Sequence, residues 1–383
     1  MNPVLAEAPE YPFAELDAKK QALRRAGVTL FDFTIGDPLE PTPPFIREAM
    51  VGAIPSVSQY PTVAGQKSFR QAVAGYLRRR FQVELDPETE IIPASGAKEA
   101  IFHLPLALID RASEKRTVVY GEPAYPVYER GAAYAGAEAH AVALDSRSGF
   151  LLEPSAIAPL VLRRTALLWL NYPHNPTGAV APADFYERVR DAARAHDFVV
   201  ASDETYADLY ADAPGPSLLN AMRENALVIH SLSKRSGMTG YRSGFIAGDR
   251  KLIAALKKMR PSMGVASPEF VQAAAEAAWN DDAHVEERRR VFAVKRRRVL
   301  ALCRELSLQP LDSAAGLYVW IRAPEGHSSR AYAGRLLDGG VVVTPGEAFG
   351  PAGEGWFRVA LVPLVSELDA ALDAWRRAHL AGD

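Results

Sequence analysis

The sequence of 383 residues lacks several features that would each assign it to a particular class of protein. It has one cysteine, Cys303, which excludes an intramolecular disulfide and is typical of a reducing compartment. No apolar run approaches the roughly 20 residues that a membrane-spanning helix needs. The first ten residues have neither the basic region nor the apolar region of a signal peptide. We therefore expect a cytoplasmic protein without a membrane partner.

The sequence also has little excess charge of either sign. Its 44 Lys and Arg against 46 Asp and Glu give a net charge of −2 at pH 7, which argues against a nucleic-acid partner. The eight histidines have no i,i+4 pair, so no metal site is predicted. The remaining composition, 48% hydrophobic and 23% charged, is typical of a globular protein. Its length exceeds what one core usually serves, which predicts two domains.

The most informative segment of the chain spans residues 231–244. It combines Lys234 with two hydroxyls just before it, Ser231 and Ser233, and with Arg242 eight residues after it. Short apolar runs flank the segment and predict strands, so the lysine lies in a loop of the kind that carries chemistry in α/β proteins. An amine beside anion ligands suits a Schiff base with a phosphorylated aldehyde. On this segment alone, a solvated basic loop remains the alternative.

Two further segments each end a predicted strand with polar groups. Residues 168–178 form an apolar run followed by a turn with two prolines, whose stiffness would hold the Asn175 amide in one orientation. Residues 198–206 form a β-branched run that ends at Asp203, with Tyr206 three residues later. A carboxylate at a buried strand end is costly unless it meets a cation, and a protonated pyridine nitrogen is such a partner. Each segment alone is also compatible with an ordinary turn or helix cap.

A fourth segment, residues 90–102, predicts a strand and then a helix that opens with small residues, which is a common anion site. In this order the four segments closely resemble the class I and II aminotransferases, pyridoxal-phosphate enzymes of fold type I related to aspartate aminotransferase. The resemblance covers residues 32–376. It implies an α/β fold with a large domain, whose mainly parallel seven-stranded sheet is flanked by helices, and a small α/β domain. It also implies pyridoxal 5'-phosphate as the cofactor.

The resemblance implies a role for individual residues of the cofactor site. Lys234 corresponds to the lysine that forms the Schiff base and moves the substrate proton, and Asp203 to the carboxylate that pairs with the ring nitrogen. Tyr206 and Asn175 correspond to donors to the ring 3-hydroxyl oxygen, and Tyr125 to the aromatic ring that stacks on the pyridine. The remaining cofactor-binding positions implied by the resemblance are Ser231, Ser233, Arg242, Gly96, Ala97, Lys98 and Tyr60.

The resemblance also implies how substrate and a second subunit take part. Arg358 lies inside an apolar run, where a guanidinium needs a buried anion, and it corresponds to the arginine that binds the substrate α-carboxylate. Gly36 corresponds to the glycine whose backbone lies against that carboxylate, and Asn175 also belongs to the substrate site. Tyr60 corresponds to a tyrosine that reaches the phosphate of a neighbouring subunit. We therefore expect a homodimer with shared active sites.

The substrate is the least determined property. Residues 231–236 and 242–249 resemble the subgroup that aminates N-succinyl-2-amino-6-oxopimelate in lysine and diaminopimelate biosynthesis, with glutamate as the expected amino donor. Residues 238–241 are closer to aspartate-type transaminases. An acidic acceptor needs a cation for its distal carboxylate, and the candidates are, in sequence order, Lys67, His174 and Arg235.

Other activities of the same scaffold stay open at this point. It also supports lyases, decarboxylases and oxidases, because the cofactor performs the chemistry and the site selects the bond that breaks. A non-enzymatic regulator is a further class. It would carry an added DNA-binding segment, for which we expect no room in this chain.

The alternation of helices and strands predicts three parts of the chain. Residues 1–44 are expected to form an N-terminal segment that packs with the small domain. Residues 45–285 are expected to form the large domain that binds the cofactor, and residues 286–383 the small C-terminal domain. A long amphipathic helix over residues 285–306, with apolar residues spaced by seven, is expected to join the two domains.

Overall fold

The helices and strands alternate along most of the chain. The computed structural model describes Val4 and residues 14–312 and 315–381. Residues 1–3 and 5–13, on which the expectation about a signal peptide depends, lie outside the described residues. The helices are α1 (Ala14–Arg25), α2 (Pro44–Gly52), α3 (Lys67–Phe81), α4 (Ala97–Leu108), α5 (Val127–Ala135), α6 (Pro159–Arg164), α7 (Ala183–His196), α8 (Leu218–Ala221), α9 (Leu232–Arg235), α10 (Arg250–Met259), α11 (Glu269–Asn280), α12 (Ala283–Glu305), α13 (Ser329–Asp338) and α14 (Val365–Leu380). The strands are β1 (Phe31–Asp32), β2 (Ile91–Ala94), β3 (Thr117–Glu122), β4 (Glu138–Ala143), β5 (Thr165–Asn171), β6 (Val199–Asp203), β7 (Ala226–Ser231), β8 (Gly244–Gly248), β9 (Gln309–Pro310), β10 (Tyr318–Arg322), β11 (Val341–Val342), β12 (Thr344–Pro345) and β13 (Trp356–Ala360).

Seven strands form the main sheet, in the order β2-β8-β7-β6-β5-β3-β4. Neighbouring strands are parallel except at β8, which runs antiparallel to both β2 and β7. This topology confirms the predicted α/β fold with a mainly parallel seven-stranded sheet. Strand β4 was not predicted, because it lies at the edge of the sheet and its residues are half-exposed or exposed, so it has no apolar run.

Both faces of this sheet are covered by helices. In β5, Leu168 and Leu170 pack toward α3, α7 and α11, whereas Leu167 and Trp169 pack toward α4, α5 and α10. Successive strand residues point to opposite faces, so a strand that is covered on both sides is apolar throughout. Burial of one such leucine side chain stabilises the fold by about 1.5–3 kcal/mol. This packing holds the main sheet in place, and with it the polar residues at the ends of its strands.

A second group of strands lies in the C-terminal part of the chain. Strands β12, β13, β10 and β9 form an antiparallel sheet, and β1 pairs in parallel with β11. A separate apolar cluster covers this sheet and includes Phe33, Phe292 and Cys303. The predicted boundary between residues 285 and 286 falls inside α12, which is one continuous helix. The division into three parts stays a prediction.

Three neighbouring strands of the main sheet end at polar residues. Strand β5 ends at Asn171, β6 at Asp203 and β7 at Ser231. Asn171 and Asp203 are paired in register, and β7 lies on the other side of β6. Because parallel strands end at the same edge, these side chains lie together at the carboxyl edge of the sheet, where α/β folds bind ligands.

Candidate active site

A cavity of about 580 Å³ lies at this carboxyl edge. Its wall includes residues from the main sheet, from the N-terminal segment near Gly36 and from the C-terminal sheet. Twelve of the fourteen predicted site residues contribute to this wall. They are Gly36, Ala97, Lys98, Tyr125, Asn175, Asp203, Tyr206, Ser231, Ser233, Lys234, Arg242 and Arg358.

Lys234 lies on the short helix α9 and contributes to the cavity wall. The Ser231 hydroxyl accepts a hydrogen bond from the Ser233 amide and caps this helix. The Lys234 amine donates to the backbone carbonyl of Gly36, which belongs to a distant part of the chain. Burial lowers the pKa of Lys234 to about 8, assisted by the positive charges of Arg358 and neighbouring cations and opposed by a nearby aspartate. A substantial fraction of the amine is therefore neutral, and so nucleophilic, near physiological pH.

Asp203 lies at the end of β6 with both of its carboxylate oxygens occupied by donors. The Thr205 amide and hydroxyl donate to Oδ1 at 3.2 and 2.6 Å, and the Tyr128 hydroxyl donates to Oδ2 at 2.9 Å. Burial raises the pKa of Asp203, and these donors oppose the rise. A buried anion of this kind suits a protonated ring nitrogen. Neither Tyr128 nor Thr205 was predicted as a site residue.

The predicted anion-binding residues lie together at one end of the cavity. Arg242 donates to the backbone carbonyls of Thr239 and Ser95, at 3.0 and 3.2 Å. Gly96 precedes α4 with a φ of +83°, a backbone conformation that favours glycine, and a Cβ atom there would lie 2.5 Å from the Arg242 guanidinium. Gly96 does not itself contribute to the cavity wall. The N-terminus of α4 and the Ser231 hydroxyl complete a donor set that matches a phosphate group.

Arg358 lies on β13 and contributes to the cavity wall. Its buried guanidinium donates to Asn175 Oδ1 at 2.8 Å and to the backbone carbonyl of Thr34. The guanidinium carbon lies 4.2 Å from the centroid of the Tyr318 ring and 4.6 Å from that of Phe349, so its plane is fixed between aromatic rings. A guanidinium held in this way matches a carboxylate.

Two close contacts shape the space between Arg358 and Lys234. A Cβ atom on Gly36 would overlap the Tyr318 hydroxyl, so a side chain at this position is excluded. Tyr206 and Tyr318 share a hydrogen bond of 3.0 Å between their hydroxyls, which fixes the phenol of Tyr206 at the wall. Tyr318 was not predicted, because its sequence neighbours are those of an ordinary buried strand.

The turn that carries Asn175 is held against β6. The Asn171 side-chain NH₂ group donates to the Asp203 backbone carbonyl at 2.8 Å, and the Asn171 side-chain oxygen accepts from the backbone N–H of Asn175 at 2.9 Å. Since the Asn175 side-chain oxygen already accepts from Arg358, its NH₂ group is the part of the side chain that could donate to a ligand. Elsewhere on the wall, the Lys98 amine lies 5.8 Å from the centroid of the Tyr125 ring. Burial and the charge of Arg242 lower the pKa of Lys98.

The remaining predicted residues do not reach the cavity in this chain. Tyr60 is fully exposed. Of the three candidates for a distal carboxylate, none contributes to the wall. Arg235 is buried on the far side of α9, where it binds Asp208 at 2.7 Å, and burial lowers the pKa of His174 to about 3. Lys67 is exposed at the start of α3.

The donor set of the cavity fits pyridoxal phosphate. A partly neutral amine, a buried carboxylate and an anion cradle match the aldehyde, the ring nitrogen and the phosphate of this cofactor, and the glycine at residue 96 leaves room for the cradle. When bound, pyridoxal phosphate withdraws electrons from the substrate α-carbon. Among the described residues, no group of three potential ligands could hold a metal ion, and no helix is long and apolar enough to cross a membrane.

Comparisons with known proteins agree with this geometry. The family model for aminotransferase class I and II matches residues 28–374. The LL-diaminopimelate aminotransferase of Aquifex aeolicus is 38% identical over 371 residues, 95% of each chain. The enzyme of the same name from Nitratidesulfovibrio vulgaris (strain DP4) is 39% identical over 376 residues, 96% of each chain.

Solved structures of aminotransferases have the same fold as this chain. A mutant of Thermus thermophilus aspartate aminotransferase has a TM-score of 0.92 at 28% identity, with 99% of each chain covered. A probable N-succinyldiaminopimelate aminotransferase, also from Thermus thermophilus, has a TM-score of 0.88 at 30% identity, covering 97% of this chain and all of that one.

Proposed function

Because this chain belongs to the aminotransferase class I and II family, we propose that it moves an amino group between LL-diaminopimelate and 2-oxoglutarate. The protein is a pyridoxal-phosphate-dependent aminotransferase. The proposal concerns its substrates and the roles of its residues. The curated relatives named above support LL-diaminopimelate. The succinylated substrate suggested by the sequence is the second candidate, and the name of one solved structure supports it.

The charged residues of the cavity wall favour one of these two substrates over the other. LL-diaminopimelate has an ammonium and a carboxylate at each end, so its distal end needs an acid as well as a cation. Asp17 and Asp37 contribute to the wall, and Lys98 is a cation there in addition to Lys234, Arg242 and Arg358. Asp17 also pairs with Lys20 at 3.2 Å, and in the succinylated substrate a neutral amide replaces the distal ammonium, so that end would offer the acids no further cation. The free diamino acid therefore matches the wall better.

The proposed roles of the residues follow from their contacts. Arg358 binds the α-carboxylate at the reacting end of the substrate, and the backbone at Gly36 limits the space beside it. Lys234 holds the cofactor and then, as a neutral amine, removes and returns the proton at the substrate α-carbon. Asp203 holds the ring nitrogen, while Asn175 and Tyr206 donate to the ring oxygen.

A comparison of amino donors tests the proposed substrate. Adding LL-diaminopimelate to the loaded enzyme, without a 2-oxo acid, is expected to change the absorbance of the bound cofactor in one turnover. We expect its second-order rate constant to exceed that of aspartate and of the succinylated diamino acid by about 100-fold, the effect of two or three matched polar contacts. A faster reaction with the succinylated compound would overturn the choice in favour of the second candidate.

The variant Asp17→Asn adds a control to this comparison. Asp17 is half-exposed, so the loss of its charge is expected to slow the reaction with LL-diaminopimelate by about three- to tenfold. Glutamate has no distal ammonium and is expected to react at the unchanged rate. An equal loss with both donors would show that Asp17 does not contact the distal end.

We further propose that the active unit is a homodimer. Large apolar side chains that are exposed in this chain cluster between residues 35 and 60, as exposed patches do at protein interfaces. They are Ile35, Leu39, Phe45, Val51, Ile54, Val57 and Tyr60. Ile35 also contributes to the cavity wall, so a second copy seated on this strip would lie beside the site. A cytoplasmic location is part of the same proposal and is supported by the single, buried cysteine.

Mixing two inactive variants tests the shared site. In hybrids of Lys234→Ala and Tyr60→Ala chains, one of the two sites would be intact, so a random mixture is expected to recover about a quarter of the activity. A mixture of Lys234→Ala with Asp203→Asn is the control, because both residues belong to the cavity of one chain and no hybrid restores it. A monomer of full activity in sedimentation would contradict the proposal.

A further inference from the structure

Among the described residues, the carboxylate of Asp203, the proposed partner of the ring nitrogen, accepts side-chain hydrogen bonds from Thr205, close to it in the chain, and from Tyr128, which is distant in the chain. Tyr128 lies on α5, whereas Asp203 is the last residue of β6 and Thr205 lies two residues after it. The Tyr128 hydroxyl lies 2.9 Å from Asp203 Oδ2, and both groups are buried. The two Thr205 donors occupy Oδ1 alone. The oxygen Oδ2 therefore depends on Tyr128.

The Tyr128 side chain is fixed by its packing. Its ring stacks on Trp169 at 5.2 Å with an interplanar angle of 29°, and it meets the edge of Tyr125 at 6.0 Å. These two rings leave the phenol little freedom to rotate away from Asp203. Burial, followed by the charge of Asp203, raises the pKa of Tyr128 well above its ordinary value. The hydroxyl is therefore protonated at working pH and donates to the carboxylate.

Few other groups offset the cost of burying Asp203. Burial raises the pKa of this carboxyl group, and the groups that oppose the rise are Thr205, Tyr128 and, through its charge, His230. Tyr206 is also nearby, and its own pKa is raised well above the ordinary value, so it stays neutral and adds no negative charge beside Asp203. Removing the Tyr128 hydroxyl would leave one carboxylate oxygen without this donor, and the carboxylate would hold a shared proton more strongly.

We propose that Tyr128 is a positioning residue, which orients the Asp203 carboxylate toward the ring nitrogen of the cofactor and keeps it ionised. This proposal rests on the role proposed above for Asp203. By donating to Oδ2, Tyr128 favours the ionised form of Asp203, which would hold a bound pyridine nitrogen in its protonated form. The cofactor would supply electron withdrawal in that form.

The variant Tyr128→Phe keeps the ring and removes only the hydroxyl. The apoprotein is expected to bind pyridoxal phosphate about tenfold more weakly, the scale of one hydrogen bond to a charged group. The cofactor ring would carry less positive charge in this variant. The pH midpoint of the absorbance change of the bound cofactor is therefore expected to move to higher pH. The fold-decrease in kcat is expected to be larger than the fold-change in KM.

Tyr332→Phe is the matched control for the loss of a buried hydroxyl. Tyr332 is fully buried, and its hydroxyl is 2.8 Å from the His379 ring in the C-terminal part of the fold. We expect this variant to lower the melting temperature about as much as Tyr128→Phe does. Its cofactor affinity and its spectral pH midpoint are expected to equal those of the unmodified protein.

The double variant separates this inference from the proposed role of Asp203. In an Asp203→Asn background, Tyr128→Phe is expected to weaken cofactor binding by less than about twofold, because its effect acts through the carboxylate. If Asp203→Asn alone changes neither affinity nor spectrum, the role of Asp203 itself is wrong. If Asp203→Asn has its effect but Tyr128→Phe has none, or if the two effects multiply in full, the positioning role of Tyr128 is overturned.

Discussion

Lys234→Ala is expected to reduce turnover to the background rate, a loss of at least about 10⁴-fold, as for removal of other nucleophilic residues. Lys234 contacts Gly36 at the cavity wall, within electrostatic reach of both Arg242 and Arg358. Alanine leaves no amine there to hold the cofactor or to move the substrate proton. Steady-state assays with LL-diaminopimelate and 2-oxoglutarate, at saturating cofactor, measure the loss.

Lys98→Ala is the matched control, because it removes the other lysine of the cavity wall. It is expected to keep turnover with glutamate within about tenfold, since one partly exposed charge contributes modestly. An active Lys234→Ala variant would contradict the proposed site. Loss of all turnover in Lys98→Ala, with turnover kept in Lys234→Ala, would also contradict the proposed site.

Asp203→Asn is expected to lower kcat by about 10²–10⁴-fold, which corresponds to about 3–5 kcal/mol for one partner of a buried charge pair. The asparagine has almost the same shape and can still accept from Tyr128, so the fold is expected to persist. Without the carboxylate, however, the ring nitrogen has no anion to keep it protonated. Presteady-state measurements with LL-diaminopimelate separate this chemical step from cofactor binding.

The cofactor is expected to stay bound to the Asp203→Asn variant in part, because the phosphate-binding end and Lys234 are unchanged. Its absorbance spectrum, compared with that of the unmodified enzyme across pH, is the control for occupancy. A value of kcat within tenfold of the unmodified enzyme would show that Asp203 is not the partner of the ring nitrogen.

The sequence predicted the parts of the fold that are apolar or stiff over a short stretch. The buried strands β5, β6 and β7 are each apolar because both of their faces are covered, and their polar last residues mark the carboxyl edge. The exposed edge strand β4 has no such pattern and was missed. The short helix α9 was also missed, because four residues capped by Ser231 are too few for a periodic signal.

Recognisable motifs predicted residues that the fold brings to one cavity wall, whereas contacts that are made only in three dimensions were missed. Tyr128 and Tyr318 lie among apolar residues, so each resembles an ordinary core aromatic until the fold brings it to Asp203 or Tyr206. Arg235 is the opposite case. Its position beside Lys234 favoured a substrate contact, but successive residues on a helix point in different directions, and Asp208 binds it away from the cavity.

Borohydride reduction of the loaded enzyme, followed by proteolysis and mass spectrometry, tests the central claim most directly. Reduction converts the bond between the cofactor and its lysine into a stable amine, so the modified peptide identifies that lysine. The proposed site predicts one modified residue, Lys234, in the peptide that also contains Ser231 and Ser233. Attachment of the cofactor to Lys98 or to any other lysine would contradict it.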